Sequence, residues 1–513
     1  MDTQKARQKW DEKSEELNAG IAAWREQHPR ATFREIEAEV DRRMDEYRAK
    51  VLSDTANLSA SAEWIEGPDG LSCPHCGAKL EGKGRKKRRL QTRGGNEVGI
   101  ERKYGVCPEC GQGIFPLDEE LELVPGRLTP CGHEHLVRLS SWMPFERATE
   151  LMADMQGIYV SPSMSRRNSE AAGSAYEELQ KEEVERLEKE MPVAPKGAEK
   201  MQMSADGAMV PLLHGQWAEV RTLVIGEVQP AVQERGEWVV HTRNLSYFSR
   251  KISSEEFERL ALVEIQRRGV ENAGQVASVM DGSDWLQGFT EYHRPDAVRI
   301  LDFPHAGEHI SQVGEFLYGE DTPQAQEWLK ERLHQLKHVG PEPLFTELHQ
   351  LQAQHPDAQQ ISGNLTYLKK REPQIQYPRF QADGWPIGSG IVESGNKLVV
   401  EARLKGSGMH WAEQHVNPML ALRNIVCSRR WKEDWPKIET RLRYRAYQQS
   451  RALHQSRRKP ISISILAIPM IAPAAIPLPT PKKLTKPKDP KDNPWRKFKF
   501  GRALYQRDNP PKK

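Results

Sequence analysis

The chain has 513 residues, of which 37% are hydrophobic and 29% are charged, a composition typical of a soluble globular protein with two or three domains. Its first residues contain no apolar segment of the kind that a secretory signal requires. The most apolar late stretch, 461–479, contains four prolines, too many interruptions for a membrane helix. We therefore expect a cytoplasmic protein without a membrane span.

The formal net charge of +3 conceals two strongly basic segments. Residues 481–513 contain twelve Lys or Arg, three Asp and six Pro, which predicts a disordered basic tail over 460–513. Residues 82–103 contain nine Lys or Arg and two Glu. Single basic runs are usually solvated loops, but two of them in a nearly neutral protein indicate a polyanionic partner.

A helical segment is predicted for residues 1–66. Thr32 and Glu35 have the spacing of a capping box, and apolar residues recur at helical intervals from Ile36 to Val51. Such a helix would serve as a scaffold or as a dimer contact.

Five of the six cysteines fall between 73 and 131. Cys73 and Cys76 form one Cys-x2-Cys pair, and Cys107 and Cys110 form another. Four thiolates at this spacing predict a structural zinc ribbon over 67–140, whereas disulfides are disfavoured because cytosolic thiols remain reduced. The ribbon would hold out a basic hairpin, with five candidate DNA-binding residues: Arg85, Lys86, Lys87, Arg88 and Arg89.

Two further cysteines lie outside these pairs. Cys131 could replace a ligand together with His133 or His135, but a free thiol is the simpler interpretation. Cys427 lies alone in a helical pattern and is predicted to be a core residue.

Residues 141–192 predict a helix-turn-helix followed by a charged linker helix. An amphipathic helix ends at Gly157, and Ser161 begins a second helix that carries Arg166 and Arg167. In a helix-turn-helix the second helix enters a DNA groove, although any two packed helices can produce this pattern. Prolines at 192 and 195 mark the next boundary.

Five apolar runs predict strands after this boundary. They cover 200–213, 218–229, 237–245, 275–281 and 296–303. One helix is predicted between the third and fourth runs and another between the fourth and fifth. This order is that of a ribonuclease-H-like α/β fold, in which the first and fourth strands are neighbours.

The first run contains Asp206, and the fourth ends at Asp281. Asp281 or Ser283 could simply cap a helix, but two adjacent carboxylates repel each other unless a cation neutralises them, and hard oxygen ligands favour Mg2+ or Mn2+. Glu393, at the start of a predicted helix, is the best third acid, with Glu401 as its competitor. Alternatively, Glu393 is an exposed acid at a helix N-terminus.

Four segments together resemble bacterial insertion-sequence transposases with a DDE triad, in the branch related to Mutator-like elements. They are "SADGAMVPL", "VMDGSDWLQGF", "ILDFPHAGEHI" and "GSGIVESGNK". The resemblance runs from about residue 60 to 435 and lies in the ordered combination.

The resemblance implies a catalytic role for Asp206, Asp281 and Glu393, which would bind two Mg2+ or Mn2+ ions. Asp302 and His305 match a short family motif between the second and third acids. A catalytic domain at 193–435 would contain a helical insertion at about 310–383. A basic helix would follow at 436–459, and the Pro-rich tail has no family counterpart.

The expected function is binding of the element's DNA ends, metal-dependent cleavage by water, and attack of the freed 3′-hydroxyl on target DNA. Pairing two ends predicts a dimer or larger assembly. Two alternatives remain: a transposase-derived DNA-binding regulator without catalysis, and another ribonuclease-H-like nuclease.

Overall fold

A computed structural model describes residues 3–63, 71–73, 76–234 and 236–458. The chain begins with α1 (Thr3–Gln27) and α2 (Phe33–Asn57), which pack together. The predicted capping box is confirmed: Thr32 Oγ1 accepts from the backbone N–H of Glu35, whose carboxylate accepts from the N–H of Thr32.

The basic segment forms the predicted hairpin. Its strands are β1 (Glu81–Gln91) and β2 (Glu97–Val106), which pair antiparallel, and β3 (Gly113–Ile114) extends the sheet from β2. A short helix, α3 (Pro116–Glu120), follows. The buried side chains of Leu90, Val98 and Ile100 pack this hairpin onto its neighbours.

Three helices lead to the main sheet: α4 (Pro130–Trp142), α5 (Phe145–Gln156) and α6 (Pro162–Glu190). The predicted second helix and linker helix are in fact one helix of 29 residues. Its only glycine, Gly173, does not break it, because a Cβ there would lie 2.0 Å from the carbonyl oxygen of Pro418. Glycine at this position therefore allows close packing.

A five-stranded mixed sheet forms the centre of the α/β fold. Strands in chain order are β4 (Lys200–Pro211), β5 (Trp217–Val228), β6 (Val232–Glu234), β7 (Glu237–Val239), β8 (Thr242–Arg250), β9 (Gln275–Met280) and β10 (Val298–Leu301). The sheet order is β10-β9-β4-β5-β8. β4 is antiparallel to β5, as β5 is to β8, whereas β9 is parallel to both β4 and β10.

The third predicted strand, 237–245, was placed too early. The strand that pairs with β5 is β8, whose last five residues are all buried, whereas β6 and β7 pair only with each other in a separate two-stranded sheet. Trp238 is 68% exposed. The buried run, β8, is therefore the strand that pairs in the main sheet, because its apolar side chains pack into the core and those of β7 do not.

Helices cover both faces and one edge of the sheet. They are α7 (Ser254–Arg267), α8 (Asp284–His293), α9 (Phe303–Tyr318), α10 (Pro323–His338), α11 (Glu342–Gln354), α12 (Gln359–Lys370), α13 (Tyr377–Ala382), α14 (Gly390–Gly395), α15 (Ala402–Leu404), α16 (Glu413–Cys427) and α17 (Trp431–Arg458). A π-helical turn, Asn396–Glu401, joins α14 to α15. One core lies between the sheet and α7–α8, and another between the sheet and α14–α17.

The helical insertion of α9–α13 packs its own core against β9 and β10. It begins at Phe303, before the predicted start near 310, because α9 follows β10 without a loop. The predicted basic helix at 436–459 starts earlier, at Trp431, since Trp435, Ile438 and Leu442 continue its buried stripe. The predicted tail, 460–513, lies outside the described residues. Within the described part of the chain, no helix has both the length and the apolar character needed to cross a bilayer.

Candidate acidic centre and cysteine cluster

Asp206 and Asp281 occupy matching positions on neighbouring strands. The parallel pairing of β4 with β9 runs from Lys200 opposite Gln275 to Met203 opposite Ser278. Asp206 follows Met203 by three residues, as Asp281 follows Ser278. The two acids therefore share the same level at the sheet centre.

The charges of Asp281 and Glu393 act on Asp206. Burial raises the pKa of Asp206 above its ordinary value, and the charges of Asp281 and Glu393 raise it further, against hydrogen bonds from Gly207 and Asn396 that lower it. Like charges near a carboxyl group disfavour its ionised form. The fold thus brings residues separated by 75 and 112 positions in the sequence into electrostatic contact.

This grouping is looser than that of the cysteines. Among the residues that the structure describes, only the four cysteines form a set of three or more His, Cys, Asp or Glu side chains with ligand atoms all within 4.8 Å. The carboxylate oxygens of Asp206, Asp281 and Glu393 do not all lie within that distance of one another.

Asp281 does not cap α8. Its Oδ1 accepts from the backbone N–H of Ser283 at 2.8 Å, and Ser283, at the cap position, makes no side-chain capping bond. Gly282 between them has φ +79°, and a Cβ there would lie 2.6 Å from Nε of Arg371. Glycine is therefore required by the left-handed turn and by the close approach of the arginine.

The insertion holds this turn from outside the sheet. Tyr367 donates from its hydroxyl to the carbonyl oxygen of Asp281 at 2.6 Å, and the buried Arg371 donates from Nε to the carbonyl oxygen of Gly282 at 2.8 Å. The Arg371 guanidinium also lies 3.8 Å from the centre of the Tyr367 ring. Sequence reasoning missed both residues, since no local motif marks them.

Glu393 is exposed in the first turn of α14, and its negative charge raises the pKa of Asp206. Glu401 instead forms an ion pair with Lys405 at 2.8 Å. Gly395 lets this helix lie directly on the sheet, because a Cβ there would be 2.7 Å from Val224. Of these two acids, Glu393 is the one whose charge affects Asp206, and its role as third acid stays a prediction.

Asn396 is a third residue that sequence reasoning missed. Its Nδ2 donates to Oδ2 of Asp206 at 3.0 Å, while its Oδ1 is buried without a hydrogen-bond partner. Asn396 begins the π-helical turn three residues after Glu393, and π-helical turns are frequent at functional sites. Its spacing from Glu393 was the available signal, since i and i+3 share a helix face.

Asp302 makes structural contacts, whereas His305 is only partly buried. Asp302 caps α9 by accepting from the N–H of His305 at 3.2 Å, and its other oxygen accepts from the N–H of Ser389 at 2.5 Å. His305 lies 3.2 Å from Glu308. Asp302 therefore joins the start of the insertion to the loop that precedes α14.

The four ribbon cysteines converge. Sγ of Cys73 lies 3.6 Å from that of Cys110, and Sγ of Cys76 lies 3.3 Å from that of Cys107. The two turns repeat one another: the first cysteine of each pair donates to a carbonyl five residues on and accepts from a glycine N–H four residues on. Four thiol ligands in two such turns could hold a metal ion.

Cys131 does not join this cluster. Its Sγ lies 3.6 Å from Nε2 of His135. Burial lowers the pKa of His133 to about 4, so this histidine is neutral inside the protein. Cys427 is buried in the core, as predicted.

The basic residues of β1 fall on two faces. Arg85, Lys87 and Arg89 alternate with Lys86 and Arg88, as strand geometry requires. Arg88 is turned inward and donates to Asp118 and to the carbonyls of Val124 and Gly126. It is thus a structural residue and less available to DNA than the sequence indicated.

Arg166 and Arg167 are exposed at the start of α6. Ser161 caps this helix, and Gly157 turns the chain between α5 and α6 with φ +62°. The two predicted helices and their turn are therefore present.

Comparison with known proteins gave no match to a protein-family model or to a curated protein. The assignment of the site therefore depends on its geometry.

Proposed function

We propose that this protein is a DDE transposase, a metal-dependent polynucleotidyl transferase with a ribonuclease-H-like core. The observation that carries the proposal is the position of Asp206 and Asp281 at one level of adjacent parallel strands, with Glu393 on a helix that covers them. The strand order, with three antiparallel strands followed by two parallel ones, is the order expected for that core.

The donor set suits Mg2+ or Mn2+. Asp206, Asp281 and Glu393 offer hard carboxylate oxygens. Burial raises the pKa of Asp206 most, and the charges of Asp281 and Glu393 raise it further, a repulsion that a cation would offset. When bound, two such ions would activate a water or a 3′-hydroxyl and stabilise the leaving oxygen of a DNA phosphate.

The protein's own residues would keep the acids in place. Asn396 orients Asp206 through its amide, and Tyr367 and Arg371 fix the turn at Asp281. Preorganisation of this kind lowers the cost of reaching the transition state. The helical insertion is thus proposed to be part of the catalytic centre.

The remaining segments would bind DNA. Zinc held by the four cysteines would fix the ribbon, and the basic hairpin and the start of α6 would contact phosphates and bases at the element ends. A dimer or larger assembly in the cytoplasm, on the nucleoid, would pair the two ends.

The test is a cleavage and joining assay on DNA that carries the sequences flanking the gene. The wild-type protein with Mg2+ should release 3′-hydroxyl ends and join them to a second duplex, and Asp206→Asn, Asp281→Asn and Glu393→Gln should do neither. Glu401→Gln is the matched control and should retain activity. Binding of the ends by wild-type protein without any cleavage would favour the regulator instead.

A further inference from the structure

A basic groove lies between the ribbon hairpin and the turn of the helix-turn-helix. Its volume is about 740 Å3, and its walls include five cationic side chains and one acid, Glu97. The cations are Lys87, Arg88, Arg89, Arg102 and Arg127. Tyr159, 71% exposed, stands at the rim on the α5–α6 turn.

Two of the cations are internal supports. Arg88 and Arg102 both bond to Asp118, and Arg88 also holds the carbonyls of Val124 and Gly126. These bonds fasten the segment that carries Arg127 beside the end of β1, where Gln91 donates to the carbonyl oxygen of Arg127 at 2.7 Å. Arg127 is therefore presented on a fixed backbone.

The exposed cations remain on the groove surface. Lys87 and Arg127 are exposed, and Arg89 keeps 68% of its side chain accessible beside Glu97 at 3.5 Å. This chemistry, several cations on rigid backbone with one aromatic hydroxyl, suits a row of phosphates.

The groove and the helix-turn-helix are locked together. Gly157, at the α5–α6 turn, lies so close to the hairpin turn that a Cβ would be 2.9 Å from Cα of Gly94 and 3.1 Å from the backbone nitrogen of Gly95. Both turns have positive φ at these glycines. Because the backbones of the two turns are in direct contact, the turns cannot move past each other. The groove therefore keeps a fixed position relative to Arg166 and Arg167.

We propose that the groove binds the phosphate backbone of the same DNA duplex that α6 contacts, with Lys87, Arg89, Arg127 and Tyr159 as its phosphate-binding residues. This inference rests on the proposed function, and it assigns Arg127 and Tyr159 to a site that the sequence did not indicate. The Gly94–Gly157 contact sets the spacing between the two points of attachment.

The test measures binding of a fluorescein-labelled duplex of mixed sequence by anisotropy, in EDTA, between about 50 and 200 mM salt. Arg127→Ala should weaken binding and reduce the slope of log K against log salt by about 1. Arg186→Ala removes the same charge from an arginine held between Glu183 and Glu190 and should leave the slope unchanged.

The double variant Arg127→Ala/Arg166→Ala should still form a one-to-one complex with the duplex, and its slope of log K against log salt should be lower by about 2. If Arg127→Ala leaves the salt slope unchanged, the groove does not bind DNA phosphates. If Arg127→Ala lowers the slope but Arg166→Ala does not, the groove and α6 do not bind the same duplex. Tighter binding of a matched single-stranded RNA than of the duplex would also overturn it.

The same proteins, carried through the cleavage assay, separate this inference from the proposed function. If DNA binding depends on the groove but the protein shows no metal-dependent cleavage, only the transposase proposal is refuted. If the protein cleaves DNA but Arg127→Ala leaves the salt slope unchanged, only the proposal for the groove is refuted.

Discussion

The hydroxyl of Tyr367 donates a hydrogen bond to the carbonyl oxygen of Asp281 across 86 positions of sequence. Tyr367 belongs to α12 in the helical insertion, whereas Asp281 ends a central strand. The insertion therefore supports the acidic centre directly.

Tyr367→Phe removes only this hydroxyl. We expect turnover to fall about tenfold, equivalent to roughly 1.4 kcal/mol, because Asp281 loses a fixed position. The free energy of unfolding should fall by about 1 kcal/mol. Tyr377→Phe is the matched control: it also loses a bond to a carbonyl, that of Leu301 at 2.9 Å, and should lose similar stability with unchanged turnover. Equal turnover in both variants would remove Tyr367 from the site.

Asn396 should be required for activity but should contribute little to the free energy of unfolding. Asn396→Leu removes a buried Oδ1 that has no partner, which offsets the loss of the hydrogen bond to Asp206, so the free energy of unfolding should change by less than about 1 kcal/mol. The same variant should lose DNA cleavage and bind Mn2+ more weakly in a spectroscopic titration, because Asp206 is released.

Asn424 is the control for this change. It is buried and satisfied at both ends by the backbone of Ser249, so Asn424→Leu should lower the free energy of unfolding by about 1–3 kcal/mol. If Asn396→Leu unfolds as easily as Asn424→Leu, the amide of Asn396 has a structural role.

The charge of Asp206 should destabilise the fold when divalent ions are removed. Its folded pKa is raised, so the folded state holds the proton more tightly than the unfolded state, and the destabilisation grows as pH rises above the ordinary value of 3.8. In EDTA at neutral pH, Asp206→Asn should therefore melt at a higher temperature than wild type. The difference should disappear in acid, and Mg2+ should raise the melting temperature of wild type only. A lower melting temperature for Asp206→Asn at neutral pH would contradict this account.

The four cysteines should hold about one Zn2+ per chain. Cys107→Ser should lose the metal and unfold the ribbon, since metal binding and folding are coupled at such sites. Metal content by elemental analysis and ribbon order by hydrogen exchange measure both effects. Cys131→Ser should keep the zinc, and retention of zinc by Cys107→Ser would show that the metal lies elsewhere.

Asp302 should contribute to stability more than to chemistry. Asp302→Ala loses a helix cap and leaves the Ser389 N–H unpaired, which should cost about 1–3 kcal/mol. His305→Ala should change the melting temperature little, since the ring is only partly buried and touches Glu308. A large loss of turnover in His305→Ala without a loss of stability would place this histidine near the reacting phosphate.

Local sequence patterns determined several features of the protein. The Thr32–Glu35 capping box, the two cysteine turns and the alternating basic hairpin depend on residues a few positions apart. The order of strands and helices also followed from periodicity, although the third strand was misplaced, because 237–245 and 242–250 have similar apolar character and only packing selects between them.

The tertiary structure decided which of these residues act together. Sequence identified Asp206, Asp281 and Glu393 as acids, but only the parallel pairing of β4 with β9 brings the first two to one level. The tertiary structure also turned the Arg88 side chain inward, and it placed Tyr367, Arg371 and Asn396 beside the acids. Hydrogen bonds and charge interactions act over a few ångströms, so side chains far apart in sequence interact only after the core has packed.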